Sequence, residues 1–123
     1  MTKRILIVDD VEFILDFEAK AIESVKNDAG FSIVVDKAST VTDAKELVEA
    51  NHYDLIISDM NLPDGTGTEI AKFALDKDES TRIAALTIYP QRYESERGYF
   101  DAFFKKPILP SVFKENIKLL LKA

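Results

Sequence analysis

The sequence predicts an α/β fold in which a parallel sheet is covered by helices on both faces. Strand-like and helix-like segments alternate along the 123 residues. The strand-like segments, such as residues 5–8 and 55–57, are continuous apolar runs, which are typical of parallel strands buried on both faces. No repeat, linker or low-complexity tract interrupts the alternation. Together these features favour a single doubly wound domain over residues 1–123.

The predicted elements follow one another in a regular order. Strands are predicted at residues 3–8, 31–35, 54–58, 82–87 and 102–105. Helices are predicted from about 11 to 27, from 40 onward, from 67 to 77 and from 110 to 122. Gly30 suits the position just past the first helix. Residues 89–99 have little periodicity, and Pro90 disfavours a helix directly after the fourth strand.

Apolar residues at helical spacing define the face that each helix should bury. Residues 40–43 also resemble a capping box at the start of the second helix. The residues predicted to be buried are Ile14, Phe17, Ala21, Ile22 and Val25 in the first helix, Val41, Ala44, Leu47 and Val48 in the second, Ile70, Phe73 and Ala74 in the third, and Val112, Phe113, Ile117, Leu120 and Leu121 in the last.

Composition limits the class of protein. The chain is 46% hydrophobic, and no apolar run approaches the roughly 20 residues that span a bilayer. The amino terminus lacks the features of a signal peptide, and there is no cysteine for disulfides or thiolate metal sites. We therefore expect a cytoplasmic protein without membrane insertion. A net charge of −6 argues against direct nucleic-acid binding.

Polar residues stand where the predicted strands end. Asp9 and Asp10 follow the first strand, Asp59 follows the third, Thr87 ends the fourth, and Lys106 follows the fifth. Because the carboxyl ends of parallel strands share one edge, these groups can converge there. Three close carboxylates require a proton or a cation, and Mg²⁺ suits oxygen ligands. Each residue alone has an ordinary explanation as a cap, a strand former or a solvated lysine, but their order favours a site.

These motifs resemble the receiver domain of two-component response regulators, in particular the single-domain, chemotaxis-type receivers. The resemblance covers essentially the whole chain. The matching stretches are residues 5–10, residues 57–63 with Gly67, residues 85–87, and Lys106 with Pro107. It implies a flavodoxin-like sheet of strand order 2-1-3-4-5 and a phosphoacceptor signalling function rather than an enzyme. At most, such a domain catalyses its own phosphoryl uptake and loss.

The resemblance also implies a role for each site residue. Asp59 would accept a phosphoryl group from a sensor histidine kinase or a histidine phosphotransfer protein. Mg²⁺ would be held by Asp9, Asp10, Asp59 and the backbone carbonyl of Asn61. Thr87 would hydrogen-bond the phosphoryl group, and Lys106 would neutralise it. Phe103 matches the aromatic switch position, and the Lys106–Pro107 bond is expected to be cis.

Several residues depart from the family pattern. The spacing between Thr87 and Lys106 is short, so we expect the fourth helix to be short, displaced or irregular. Ile88 stands where a small residue usually follows the threonine, and a glycine is displaced to Gly98. These differences concern the partner surface and the kinetics, because no chemical group of the site is lost.

Two other functions are compatible with parts of the sequence. A haloacid-dehalogenase-like phosphatase also uses an acid after a strand, but it needs a second acid where this chain has Asn61, and Asp64 is too far along. A degenerate receiver that acts as a phosphorylation-independent interaction module would typically have lost acids or the lysine. His52 is expected to be an ordinary surface residue.

The last helix carries a basic stripe. Lys114, Lys118 and Lys122 recur every four residues in an otherwise acidic chain. A solvated face is the simple interpretation. The alternative hypothesis is a contact with an acidic partner or with the second half of a homodimer.

Overall fold

The computed structural model describes residues 2–29 and 32–122. Seven strands, four α-helices and one 3-10 helical segment follow one another along the chain. Their bounds are β1 Thr2–Val8, α1 Glu12–Ala29, β2 Ser32–Ala38, α2 Val41–Ala50, β3 Leu55–Asp59, β4 Asn61–Leu62, β5 Gly65–Thr66, α3 Gly67–Lys77, β6 Arg82–Thr87, the 3-10 segment Pro90–Tyr99, β7 Ala102–Lys105 and α4 Pro110–Lys122.

Five strands form one parallel sheet in the order β2-β1-β3-β6-β7. These are the five predicted strands, and their order confirms the flavodoxin-like 2-1-3-4-5 arrangement. The remaining two strands, β4 and β5, pair antiparallel as a separate small hairpin, which the sequence analysis did not anticipate. This hairpin follows β3 directly, so it lies at the sheet edge where the polar residues were expected.

The core lies in two layers, one on each face of the sheet. Ile5 and Ile7 of β1 face a layer completed by α1 and α4, including the buried Phe113 and Ile117. The alternate residue Leu6 faces the second layer, to which α2 and α3 contribute. Alternation of side chains along a strand therefore divides one apolar run between two cores. This is why the strands are apolar throughout.

Some predicted burial was wrong in detail. Val112 is 45% exposed, because the buried stripe of α4 consists of Phe113, Ile117 and Leu121, four residues apart, and Val112 lies beside it. Three residues that were predicted to be buried are only partly buried at the rim of the core: Leu47, Phe73 and Leu120. Partial burial also applies to Ile14 and Phe17 of α1.

Element boundaries shift slightly from those expected. The second strand extends to Ala38, three residues beyond the predicted end, while Gly30 and Phe31 lie outside the described residues. The predicted cap of α2 is present, with the Thr40 hydroxyl accepting the Asp43 N–H at 3.0 Å. The described helices include none that is long and apolar enough to cross a membrane.

The segment Pro90–Tyr99 takes the place of a regular helix between β6 and β7. It is 3-10 helical and is broken at Tyr93, where the backbone angles are φ −112° and ψ 18°. Tyr93 is its buried residue. The expectation of an irregular element here is confirmed, and its one anchor in the core is an aromatic side chain.

Candidate functional site

Three carboxylates meet at the carboxyl ends of β1 and β3. Asp9, Asp10 and Asp59 each offer an oxygen, and these oxygens lie within 4.8 Å of one another. The strand register explains the meeting, because Val8 pairs with Ser58, so the residue after each partner reaches the same edge. Asp9 is buried, Asp59 is half-buried and Asp10 is exposed. The cluster therefore opens to solvent on one side.

Lys106 joins these acids from the loop after β7. Its Nζ lies 2.8 Å from Asp9 Oδ2 and 3.3 Å from Asp59 Oδ2. The Lys106 backbone N–H donates to the carbonyl of Thr87 at 2.8 Å, which fixes the loop against β6. The peptide bond between Lys106 and Pro107 is cis, as expected. The predicted lysine and two of the predicted acids thus make direct contacts.

Burial and charge act against each other in this cluster. Burial raises the pKa of the Asp59 carboxyl, and the charge of Asp9 adds to this rise, whereas Lys106 and the Asn61 N–H oppose it; the net pKa is raised. Burial works to lower the pKa of Lys106, but its hydrogen bond to Asp9 and the nearby charges outweigh burial and raise it. Lys106 is therefore an ammonium whose charged form is favoured, and it lies beside a carboxylate whose ionised form is less favoured than that of a free aspartate. A further cation nearby would favour the ionised form of Asp59 and so lower its pKa.

Thr87 ends β6 next to the acids. In the register of β3 and β6, Asp59 pairs with Leu86, so Thr87 is one residue further along. The Thr87 side chain is buried, and its Oγ1 accepts the N–H of Tyr89 at 3.0 Å. The hydroxyl is therefore held by its own loop while its proton remains available to donate.

The loop after Asp59 returns close to the backbone of Asp59. The exposed residue Asn61 donates its N–H to Asp59 Oδ1 at 3.3 Å. Gly67 closes the loop at the start of α3, where a Cβ would lie 2.6 Å from the Asp59 carbonyl oxygen. Any side chain at position 67 would push against the backbone of Asp59, so this close approach requires glycine.

Phe103 of β7 is half-buried beside the site. It packs against a cluster of Met60, Ala85 and Tyr93, and its ring meets Phe100 edge-on at 5.6 Å. The guanidinium of Arg97 lies 4.9 Å from the Phe103 ring centroid. The aromatic switch position predicted from the sequence thus lies next to Met60, the residue after Asp59.

One acid near the site was missed by the sequence analysis. Glu18 of α1 is 2% exposed, and its Oε2 has no hydrogen-bond partner among the described residues. Burial and the charge of Asp9 raise the pKa of Glu18 to about 8, although Lys106 opposes the shift. Helical spacing could have revealed it, because Glu18 lies four residues after Ile14, on the face predicted to be buried.

His52 and Asp64 lie away from the acids. His52 Nδ1 is 2.9 Å from Asp78 Oδ2, and its side chain is largely exposed, in agreement with an ordinary surface role. The Asp64 carboxylate binds backbone N–H groups of Val41 and Thr42 at the start of α2. It is therefore engaged elsewhere and does not act as the second acid that a haloacid-dehalogenase-like phosphatase needs.

Comparison with known proteins identifies the class. The family model of the response regulator receiver domain matches residues 5–118. The chain belongs to this family. Receiver domains are signalling domains that accept phosphoryl groups, so the chain is a phosphoacceptor signalling domain of two-component systems and not an enzyme in its own right.

Individual relatives agree over nearly the full length. The polar-differentiation response regulator DivK of Brucella ovis is 31% identical, and the match covers 98% of each chain. The CheY-like receiver domain protein of Methanospirillum hungatei JF-1 is 30% identical, with a TM-score of 0.86 over 99% of this chain and 95% of that one. The response regulator TrrA of Thermotoga maritima, solved in complex with Mg²⁺ and BeF, is 28% identical, with a TM-score of 0.77 over 97% and 99%.

Family membership sets the general frame for cofactor and partners. Receiver domains typically bind Mg²⁺ in an acidic pocket, and they interact with histidine kinases or phosphotransfer proteins. In this chain Asp9, Asp10 and Asp59 form an acidic cluster at the carboxyl ends of the strands.

Proposed function

We propose that residues 1–123 form one receiver domain that takes a phosphoryl group onto Asp59 from a phosphohistidine of a sensor kinase or a phosphotransfer protein. The observation that carries this proposal is the meeting of three acids and Lys106 at one sheet edge. A purely structural cluster would gain nothing from three carboxylates in contact, because their repulsion disfavours the folded state.

The donor set fits Mg²⁺. Asp9, Asp10 and Asp59 would hold it with the backbone carbonyl of Asn61, and a hard cation with oxygen ligands and several waters suits this half-open cluster. When bound, Mg²⁺ supplies positive charge that offsets the repulsion between the acids and the transferring phosphoryl group. Asp59 is then more readily ionised, because the burial that raises its pKa is opposed by a second cation beside Lys106.

The transfer uses this chain's own groups in defined roles. An oxygen of ionised Asp59 attacks phosphorus while the phosphorus–nitrogen bond of the donor histidine breaks, and the imidazole leaves with the electron pair. Lys106, 3.3 Å from Asp59, neutralises charge on the new acyl phosphate. The Thr87 hydroxyl donates a hydrogen bond to a phosphoryl oxygen.

The same step connects the site to the surface. If Thr87 turns toward the phosphoryl group, its bond to the Tyr89 N–H at 3.0 Å must change. Tyr89 leads directly into the 3-10 segment, whose residues Tyr93 and Arg97 pack around Phe103. Phosphorylation would therefore favour a different arrangement of Phe103 and of this segment, which a downstream protein can recognise.

An exposed apolar rim beside the acids suits a protein donor. Phe13 is 77% exposed and Ile88 is 54% exposed, and both line a groove of about 380 Å³ whose wall includes Lys106. A helix bearing a phosphohistidine could bury these side chains while its phosphoryl group reaches Asp59.

The proposal includes a cytoplasmic location, since histidine kinases are phosphorylated from ATP. It also includes the absence of direct nucleic-acid binding.

For the basic stripe of the last helix, contact with a second copy of this chain in a homodimer remains the alternative to a solvated face. Lys118 lies 3.6 Å from Glu115 on the same helix, so part of the positive charge of the basic stripe is paired locally. The Lys122 side chain lies outside the described side chains. The basic stripe hypothesis stays a prediction that sedimentation across a salt series would test.

The deciding experiment is phosphorylation by a small donor with mass spectrometry of the intact chain. We expect one added phosphoryl group in the presence of Mg²⁺, none in excess chelator, and none for Asp59→Asn. Asp10→Ala should lose most of the uptake, whereas the control Asp16→Ala removes an exposed acid that pairs with Lys37 and should behave as the parent does. Full uptake in chelator would overturn the metal assignment, and no uptake at all would favour a degenerate receiver.

Docking is tested by changing the donor. With a phosphohistidine protein as donor, Phe13→Asp should slow transfer, while uptake from a small donor should be unchanged. Leu119→Asp is a matched control, because Leu119 is 65% exposed on α4, whose end lies near Lys3 and Asp54 at the opposite edge of the sheet. Equal slowing by both variants would remove the apolar rim from the proposal.

A further inference from the structure

Asp64 connects the loop after Asp59 to a helix far along the sequence. It lies at the tip of the hairpin formed by β4 and β5, which have Pro63 and Asp64 between them. Its Oδ1 accepts the Val41 N–H at 2.7 Å, and its Oδ2 accepts the Thr42 N–H at 3.0 Å and the Thr42 hydroxyl at 2.8 Å. One side chain thus makes three bonds to the first turn of α2.

These bonds complete the amino end of α2. The first N–H groups of a helix have no partner within it and need one from outside. Here Thr40 caps Asp43, and Asp64 accepts two more of these groups, the N–H of Val41 and the N–H of Thr42. The hydrogen bonds from Thr42 and Val41 hold the pKa of the Asp64 carboxyl below its usual value. Asp64 is therefore an ionised acceptor at the positive end of the helix.

The other end of α2 is also held. Lys77, the last residue of α3, donates from Nζ to the carbonyls of Val48, Glu49 and Asn51. The buried residues Val41, Ala44 and Val48 fix the inner face of α2 against the sheet. Because both ends and one face are anchored, α2 is a rigid support to which Asp64 attaches the hairpin.

The hairpin in turn determines the geometry beside Asp59. Its base pairs Asn61 with Thr66, and the Gly67 N–H donates to the Met60 carbonyl at 3.2 Å. Asn61 also donates its own N–H to Asp59 at 3.3 Å. With only two strand residues on each side, the hairpin has few bonds of its own, and a two-stranded ribbon of this size is marginal in water.

We propose that Asp64 is a positioning residue for the phosphorylation site: it holds the tip of the hairpin on α2 so that Asn61 and Asp59 keep the arrangement that binds the cation. This inference rests on the proposed function in one respect, the use of the Asn61 carbonyl as a ligand. Without the three bonds, the hairpin moves away from α2 and the ligand set loses its order before any cation arrives.

The test compares two ways of uncapping the same helix. Asp64→Ala removes the caps of Val41 and Thr42 together with the link to the hairpin, whereas Thr40→Ala removes the cap of Asp43 and leaves the link intact. Thr40→Ala therefore reports what the loss of a helix cap does without loss of the link. Asp64→Asn keeps an oxygen acceptor in place and should recover part of the effect. Asp64 is exposed, so none of these changes opens the core.

Two measurements report on the hairpin without any phosphoryl transfer. Amide hydrogen exchange at Gly67 should be about tenfold faster in Asp64→Ala and nearly unchanged in Thr40→Ala, because only the first frees the hairpin base. The Mg²⁺ dissociation constant, measured by calorimetry, should rise about tenfold in Asp64→Ala, as expected when outer support for metal ligands is lost. In phosphorylation, this variant should recover its rate at saturating Mg²⁺.

The outcomes separate this inference from the proposed function. Equal exchange at Gly67 and equal Mg²⁺ affinity in both alanine variants would overturn the role of Asp64 as a positioning residue, whatever the phosphorylation result. A parent protein that binds Mg²⁺ but takes up no phosphoryl group would overturn the proposed function alone. A rate for Asp64→Ala that stays low at saturating Mg²⁺ would also contradict the inference, because the defect would not lie in cation binding.

Discussion

Two loops leave the same edge of the sheet and are held by different forces. The first, residues 59–67, is fixed by directed polar bonds: Asn61 to Asp59, Gly67 to Met60, and Asp64 to α2. The second, residues 88–101, is tied by polar bonds at its two ends, where the Tyr89 N–H donates to Thr87 and Asp101 bonds to the backbone of Ile83. Between these ends its side chains pack through rings: Tyr93 is buried, Phe100 meets Phe103, and Arg97 lies over Phe103. Hydrogen bonds lose strength steeply with small misalignments, whereas ring contacts tolerate sliding.

The two loops need different degrees of positional precision. Placing a cation and a phosphoryl group demands ligand positions within a fraction of an ångström, which polar bonds supply. A surface that changes shape needs contacts that can be exchanged at low cost, which stacked side chains supply. Lys106 joins the two loops: its N–H donates to the carbonyl of Thr87, the residue before the second loop, and its Nζ lies 3.3 Å from Asp59, the first residue of the first loop. Variants at this junction and in each loop test the comparison.

The largest effect is expected from removing the ammonium group of Lys106, which lies between the two loops. Lys106→Met should slow phosphoryl uptake about a thousandfold, because it removes the positive charge aimed at the phosphoryl group. The control is Lys105→Met, since Lys105 is the exposed neighbour on β7 and should leave the rate unchanged. Uptake rates from a small donor at saturating Mg²⁺ give the answer. A similar loss in both variants would mean that general positive charge, not the position of Lys106, matters.

Replacing Glu18 should have a smaller effect, which is on the free energy of unfolding and depends on pH. Its pKa is about 8 in the folded chain against 4.5 for the free side chain, so folding favours the protonated form. The contribution of Glu18 to stability is fully present below pH 4.5 and is lost as pH rises through the window up to about 8. Glu18→Gln removes this loss, so it should lie close to the parent at pH 5 and exceed it at pH 9 by roughly 4 kcal/mol in free energy of unfolding.

Urea unfolding at the two pH values, in chelator, measures this difference. Glu23→Gln is the matched control, because it removes the same charge at an exposed position of the same helix. If the parent and Glu18→Gln respond identically to pH, then Glu18 is not buried as an acid beside Asp9.

The aromatic loop should respond in stability and not in chemistry. Tyr93→Ala should lower the free energy of unfolding by about 2 kcal/mol, because a ring that is 8% exposed leaves a cavity beside Met60 and Ala85. Phosphoryl uptake by a small donor should stay within about twofold of the parent, because Asp59, Thr87 and Lys106 are all retained. Tyr99→Ala, at a residue 39% exposed, serves as the surface control. A large loss of uptake would show that the rings also position the site.

The smallest effects are expected at the residues after Thr87. Ile88 and Tyr89 are 54% and 47% exposed, so Ile88 does not belong to the core, and it lines the groove with Lys106. We expect Ile88→Ala to speed uptake from small donors and Tyr89→Ala to speed loss of the phosphoryl group, each by about two- to threefold, because both relieve crowding at the mouth of the site. The Tyr89 N–H still binds Thr87 in either variant. Val34→Ala, on β2, is the control, and parental rates in both test variants would exclude crowding.

Much of the site could be predicted from single residues at strand ends. The apolar runs identify the strands, and an acid, a threonine or a lysine directly after a run must lie at one edge once the strands are parallel. Only the residues at the strand ends are needed to expect Asp9, Asp10, Asp59 and Lys106 at one edge, and the structure brings these four together. The buried faces of the helices follow in the same way from helical spacing, apart from rim residues such as Val112.

Packing between distant segments decided the rest. The bond from Asp64 to Val41 joins residues 23 positions apart, and no periodic pattern specifies it. Glu18 is buried because α1 lies over Lys106 and Asp9, which are brought there by other strands. Tyr93 anchors an irregular segment through Met60, the residue after β3, and Ala85 on β6. Sequence patterns determine which groups reach an edge because period and position are local, whereas the contacts that support those groups depend on how whole elements lie against one another.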